Sequence, residues 1–323
     1  MSFKVIGIGE VLWDLMPDGQ KQLGGAPANF ACHASSLGAV GQVVTRVGAD
    51  SLGREVLRRF QEMHLAQDTV QIDNDKPTGT VAVELDKAGV PRFTIREAAA
   101  WDRLALTEAA YSRVREADAI CFGSLAQRSG VSRETIRELL AAAPATALRI
   151  CDINLRQPFY SREIIETSLQ LANVLKLNDT ELLVLDEMFG LGKSPQQQIE
   201  RLAQVFSLQV VALTRGAQGS LLYQGGQWSE QLPQPMRVVD TVGAGDAFTA
   251  ALALGLLSKM SLDDIHILAA ELARYVCTQA GATPSLPEEF KNKFNAAVYA
   301  CAAYSRLEAG RHQPRNHGNI LKY

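Results

Sequence analysis

Short, continuous apolar runs alternate with helix-period segments along most of this 323-residue chain. The runs at 4–9, 41–47, 119–123, 148–152, 174–177 and 210–214 read as buried strands. The segments 27–37, 51–63, 107–115, 132–143, 161–171, 195–206, 247–258 and 262–278 carry the helical period. A strand that is apolar on both faces must be covered on both faces, which helices between successive parallel strands achieve. The pattern therefore predicts an α/β fold with a mostly parallel sheet between helices. Ligands in such folds bind beyond the carboxyl ends of the strands, so polar motifs that follow strands are the places to look for chemistry.

One region breaks the pattern. Residues 80–86 (T-V-A-V-E-L-D) alternate with period two, K-A-G turns, and 91–96 (P-R-F-T-I-R) alternate again. That is an antiparallel hairpin signal, and with residues 11–15 nearby it predicts a small β-sheet beside the main one. Such a sheet is either a cover over a site or a plain edge hairpin. A second hairpin is predicted at 220–223 and 227–229. The stretch 311–323 is polar, weakly patterned and reads as a tail.

Composition excludes several classes. A net charge of −3 gives no broad basic surface for nucleic acid. No run has the apolar length of a membrane span, and the first residues show no apolar leader, so a cytoplasmic, non-membrane protein is expected. The cysteines (32, 121, 151, 277 and 301) form no C-x-x-C, and several lie in apolar runs, which fits small core residues in a reducing compartment. The histidines form no metal-binding pattern. Gly7-x-Gly9 follows a strand, but Leu12 stands where a dinucleotide fingerprint needs glycine. Gly192-Lys193-Ser194 lacks the first glycine of a P-loop, because Glu187 occupies that position.

The strongest local signal is D-T-V-G-A-G-D over 240–246, followed by A-F-T-A-A-L-A. Small residues at Gly243, Ala244 and Gly245 leave backbone N–H groups uncovered at the start of a helical run, where unsatisfied donors and the macrodipole favour an anion. A carboxylate there, Asp246, could accept a proton from a hydroxyl while the amides hold a phosphoryl group. The same string could also be only a glycine turn with an acidic cap.

The string resembles the second signature of the ribokinase/PfkB carbohydrate kinases. G-G-A-P-A-N-F-A over 24–31, with Gly38 and Gly48 behind it, resembles the first, and the two occur in the family's order. The similarity runs from about Val5 to about Phe294. It implies a ribokinase-like fold, with one kinase domain over 1–310, lid segments near 11–23 and 78–97, and 311–323 outside it. It implies transfer of the ATP γ-phosphate to a primary hydroxyl, with ATP and Mg2+ as cofactors, K+ as a further candidate, and a homodimer through the lid.

The resemblance also assigns roles residue by residue. Asp246 matches the base, and the amides of Gly243, Ala244 and Gly245 the anion hole. Asp14, Gly25 and Asn29 match sugar-binding positions; Asp14 could instead form a turn before Pro17-Asp18-Gly19. Asn178-Asp179-Thr180-Glu181 matches an N-x-x-E element in which Glu181 belongs to the magnesium and water network; it also reads as a capping box. Thr214, Gly216 and Gly219, with Asn178, match nucleotide-binding positions. Asp240, Val242, Gly281 and Ser285 match a monovalent-cation site.

Within the family, G-G-A-P-A-N, the opening G-E-V-L-W-D and D-I-N-L-R over 152–156 resemble the fructokinase branch, which implies D-fructose as acceptor. Arg156 then points toward the sugar, or else forms a structural ion pair. Ile95 stands where fructokinases often carry an aromatic residue before the lid arginine, Arg96, so Trp101 becomes the candidate aromatic wall. Arg96 would also suit an acidic sugar such as 2-keto-3-deoxygluconate. Ribose, a nucleoside and a non-catalytic sensing role on the same fold are the other readings.

Overall fold

A computed structural model describes residues 2–85, 91–156 and 158–296. The strands are β1 (Lys4–Ile8), β2 (Leu12–Leu15), β3 (Lys21–Gly24), β4 (Val40–Gly48), β5 (Val70–Asp73), β6 (Gly79–Leu85), β7 (Pro91–Ile95), β8 (Ala119–Phe122), β9 (Leu148–Asp152), β10 (Val174–Asn178), β11 (Val210–Thr214), β12 (Ser220–Gln224) and β13 (Gln227–Gln231). The helices are α1 (Ala26–Ser36), α2 (Ser51–Glu62), α3 (Glu108–Val114), α4 (Gly130–Ala142), α5 (Arg162–Leu171), α6 (Asp179–Phe189), α7 (Pro195–Phe206), α8 (Ala244–Leu257) and α9 (Leu262–Cys277).

The main sheet has nine strands in the order β13-β12-β11-β10-β9-β8-β1-β4-β5. From β11 to β5 every neighbouring pair is parallel; the hairpin β12–β13 closes one edge antiparallel. Alternate side chains feed two cores. Ile6, Ile8, Ile120, Phe122, Leu175, Leu177 and Val211 pack with α4 to α7 on one face. Val5, Ala119, Cys121, Ile150, Val174 and Val210 pack with α1, α8 and α9 on the other. The continuous apolar runs thus fill both faces, as a covered parallel sheet requires.

The second sheet has the order β3-β2-β6-β7. β2 is antiparallel to β3 and parallel to β6, and β6 is antiparallel to β7. It contains the predicted small-sheet segments, whose intervening turn 87–89 lies outside the described residues, as do Cys301 and the stretch 311–323. Val81, Val83 and Ile95 are buried on one face; Trp13 is buried on the other face, which it shares with the exposed Leu15. The strands β3 and β5 lie outside the predicted ones, because K-Q-L-G and V-Q-I-D are short and carry no continuous apolar run. α8 begins at Ala244, three residues ahead of the predicted start at 247, because Gly243 turns the chain into the helix.

Candidate active site

The order of the main sheet reverses at β1: β4 and β5 lie on one side, β8 to β13 on the other. The crevice at such a switch point collects the loops that follow the strands. Glu10 follows β1, Asp152 ends β9, Asn178 ends β10 and Thr214 ends β11. The predicted motifs converge there.

Gly243 caps α8 at φ 80°, a left-handed conformation that a side chain disfavours, and a Cβ there would meet the Ala282 carbonyl at 2.1 Å. The Ala244 N–H makes a turn bond to Thr241 (3.3 Å), while among the described residues those of Gly243 and Gly245 have no acceptor. Asp246 lies in the first helical turn, and Asn29 Nδ2 of α1 donates to its Oδ2 at 2.8 Å. Removal from water, then the charge of Asp152, pushes the Asp246 carboxyl up to about 6; Asn29, Lys176 and Arg156 oppose the rise. The two matched signatures are therefore in direct contact, through Asn29 and Asp246.

Beneath this turn is a group that no motif announced. Lys176 Nζ, on β10, lies 3.1 Å from Asp152 Oδ1, and both residues are buried. Asp152 Oδ2 is 3.2 Å from the Thr249 hydroxyl, which is 2.9 Å from the Gly245 carbonyl. Burial works against the Lys176 charge, but Asp152, Glu181 and Asp246 outweigh it and raise its pKa. Glu10 is also buried, and burial, with Asp246 adding to it, pushes its carboxyl up to about 7 against local hydrogen bonds and Arg156. One signal was available for Lys176: a lysine inside a buried strand (V-L-K-L-N) must have a counter-charge.

On the small-sheet side, Asp14 of β2 is half-buried, and burial pushes its carboxyl up to about 6, with Arg156 opposing and Asp240 adding. That electrostatic coupling relates Asp14 to both the 152–156 loop and the 240–246 turn. Gly25 caps α1 at φ 117°. Arg156 is exposed and donates to the Leu155 carbonyl at 3.1 Å, on a loop whose Asn154 adopts φ 45°. Arg96 is exposed just after β7 and is not brought into the buried cluster; its carbonyl accepts from Arg128 Nη2 at 2.8 Å.

The expected wall at Trp101 is corrected. Trp101 is only 1% exposed and stacks on Arg128, whose guanidinium carbon lies 4.0 Å from the Trp101 ring centroid and 4.6 Å from that of Phe159. Arg128 also pairs with Asp102 through two bonds of 2.8 Å. The indole is a packing contact rather than an open surface, because it is sealed beneath the root of the small sheet at Gly79.

At the end of β10, Asn178 and Glu181 form a reciprocal capping box on α6. Glu181 Oε2 accepts from the Asn178 N–H and Oε1 from the Leu155 N–H, so both oxygens have backbone donors. The Thr214 hydroxyl donates to the Leu177 carbonyl at 3.3 Å, and the loop behind it passes through Gly216 and Gly219. Asp240 accepts from the Val242 N–H (3.0 Å) and the Gly281 N–H (3.2 Å), which joins the two segments matched to a cation site. The Ser285 carbonyl accepts from the Tyr275 hydroxyl at 2.8 Å. His33 of α1 reaches the Ala282 carbonyl at 2.9 Å and so braces the same loop. No group of His, Cys, Asp and Glu among the described residues is arranged to hold a metal by itself, and no helix there is long and apolar enough to cross a membrane.

Residues 9–289 match the pfkB family of carbohydrate kinases. The chain belongs to this family. It is therefore a carbohydrate kinase, a phosphotransferase with an alcohol acceptor, on a ribokinase-like fold. It is 30% identical to a fructokinase of Escherichia coli over 89% of this chain and 97% of that protein. It is 29% identical to a putative sugar kinase of Pyrococcus horikoshii over 92% of this chain and 97% of that one. A crystal structure of fructokinase with bound ATP from Xylella fastidiosa superposes with a TM-score of 0.79 at 23% identity, covering 94% of this chain and 99% of that one.

Proposed function

We propose that this pfkB-family kinase transfers the γ-phosphoryl group of ATP to a primary hydroxyl of a sugar, with D-fructose giving fructose 6-phosphate as the first candidate. The observation that carries the reading is the Asp246 carboxylate, held by Asn29 beside the uncovered amides of Gly243 and Gly245. Asp246 takes the proton of the attacking hydroxyl, and the amides of Gly243, Ala244 and Gly245 stabilise charge on the transferring group. With its pKa raised to about 6, Asp246 remains mostly ionised at neutral pH yet more basic than an ordinary carboxylate. Asp14, Gly25, Asn29 and Arg156 hold the sugar, and Arg96 meets it from the lid; Asn178, Thr214, Gly216 and Gly219 hold the nucleotide. The E. coli and Xylella fructokinases support both substrates by their names alone.

Mg2+ would be held through water by Glu181, whose two oxygens are each oriented by one backbone N–H and keep further acceptor capacity. When bound, it would neutralise charge on the phosphates. K+ is assigned to Asp240, Val242, Gly281 and Ser285; the Asp240–Gly281 bond favours this, and equal rates in K+, Na+ and Tris buffers would remove it. We further infer a cytoplasmic protein, one kinase domain over 1–310 with lid segments near 11–23 and 78–97, and a homodimer through the small sheet. The deciding assay is ADP release across fructose, ribose, 2-keto-3-deoxygluconate and nucleosides. Release with fructose is expected, and release with another acceptor alone would replace fructose. Sugar binding without ADP release would replace the kinase reading of the site with a sensing one.

A further inference from the structure

Two of the small residues in the turn before Asp246 are small for different reasons. Gly243 needs its left-handed backbone and the space beside Ala282. Gly245 does not: its φ is not left-handed, and the obstacle to a side chain there is the ammonium of Lys176, 2.8 Å from where a Cβ would stand. The missing side chain is a notch, and a buried cation occupies it.

We propose that Lys176 is a positioning residue for phosphoryl transfer. Its ammonium, fixed by Asp152, fills the notch at Gly245 and holds the peptide amides of the turn in place while adding positive charge behind them. This inference rests on the phosphoryl-transfer reading above. Three contacts join the group into one unit: Lys176 to Asp152 (3.1 Å), Asp152 to Thr249 (3.2 Å), and Thr249 to the Gly245 carbonyl (2.9 Å). Lys176 and Asp152 are also directly paired in register across β10 and β9. A cation confined between a buried carboxylate and a glycine needs no reorganisation when charge develops on the far side of the turn, which is where electrostatic stabilisation is most effective.

The test is a double-mutant cycle on kcat and sugar KM, measured in the full chain with the sugar that the acceptor panel returns. Lys176→Ala is expected to lower kcat about 100-fold, the scale of losing one oxyanion donor, with sugar KM changed by less than about threefold. Gly245→Ala keeps the N–H but displaces the ammonium, and is expected to lower kcat about tenfold. In the double variant the methyl enters the space the lysine vacated, so kcat should fall no further than in Lys176→Ala, within about twofold. Losses that multiply, or wild-type kcat in Lys176→Ala, would overturn the proposal.

If Lys176→Ala fails to fold because Asp152 is left unpaired, Asp152→Asn combined with Lys176→Met removes the pair together, while Glu181 keeps its two backbone N–H donors and Asp246 keeps Asn29. That variant should fold and keep the kcat loss; near-normal kcat in it would equally overturn the proposal. No ADP release by the unaltered chain with any sugar would remove the phosphoryl-transfer reading and this inference together. Normal release with an unaffected Lys176 variant removes only the second.

Discussion

The carboxyl edge of the main sheet and the small four-stranded sheet are built on opposite terms. At the edge, charges are buried and fixed from several directions: Asp152 by Lys176 and Thr249, Glu181 by two backbone amides, Asp246 by Asn29. The small sheet is only partly covered on either face, with Leu15 exposed beside buried Trp13 and Phe93 exposed beside buried Val83, and it is tied down at its roots. Thr78, beside β6, donates to Asp50 and accepts from the Gly48 N–H, and Arg128 grips the Arg96 carbonyl after β7. Chemistry that depends on fixed charge belongs on the first region, and recognition that tolerates adjustment belongs on the second.

The sharpest way to break this contrast is to neutralise Asp246. Asp246→Asn should lower kcat by about 10²–10⁴ while far-UV circular dichroism and sugar binding stay unchanged; near-normal turnover would move the chemistry elsewhere. Arg128→Met attacks the other region. It strands Asp102 in a largely buried site, and chemical denaturation should show a loss of about 3–5 kcal/mol. Sugar KM should rise more than ATP KM does; equal rises would deny the small sheet its part in recognition. Asp14→Asn should raise sugar KM about tenfold or more at little cost in kcat, through loss of a charged acceptor.

The pH response should separate activity from stability. In the proposed reaction Asp246 accepts the proton in its ionised form, so kcat/KM is expected to fall as pH drops through about 6. Asp152 is the largest charge raising that pKa, so Asp152→Asn should move the acid limb to lower pH. Stability runs the other way. The folded-state pKa values of Asp246 (about 6) and Glu10 (about 7) lie above those of ordinary carboxylates, so the folded chain binds more protons between those limits. These two groups should make the protein more stable as pH falls from 8 toward 5, and Glu10→Gln should flatten the trend in thermal melts. The smallest effect is expected at the exposed Leu15 at the end of β2: Leu15→Ser should change stability by less than about 0.5 kcal/mol. A larger loss, or a shift from dimer to monomer in sedimentation, would show that this residue is covered.

Much of this was legible in the sequence because the residues concerned act locally. Continuous apolar runs named the central strands, and glycines beside an acid at a helix start named the turn that opens α8. What stayed hidden depends on long-range pairing. Lys176 and Asp152 are 24 positions apart, and Arg128 and Asp102 26, so neither pair has a local pattern. The D-I-N-L-R string drew attention to Arg156, whereas the fold makes the buried use of its first residue, Asp152. Trp101 read as a candidate aromatic wall because the string around it says nothing of the arginine that covers it.

The small sheet is reached by two separate excursions of the chain, one leaving after β1 and returning into α1, the other rising from Thr78 and coming back at Ala99. Neither excursion contains the turn that opens α8 or the lysine beneath it. Lineages of such proteins can therefore exchange one acceptor for another by rewriting two short inserts, while the machinery that moves the phosphoryl group is inherited unedited.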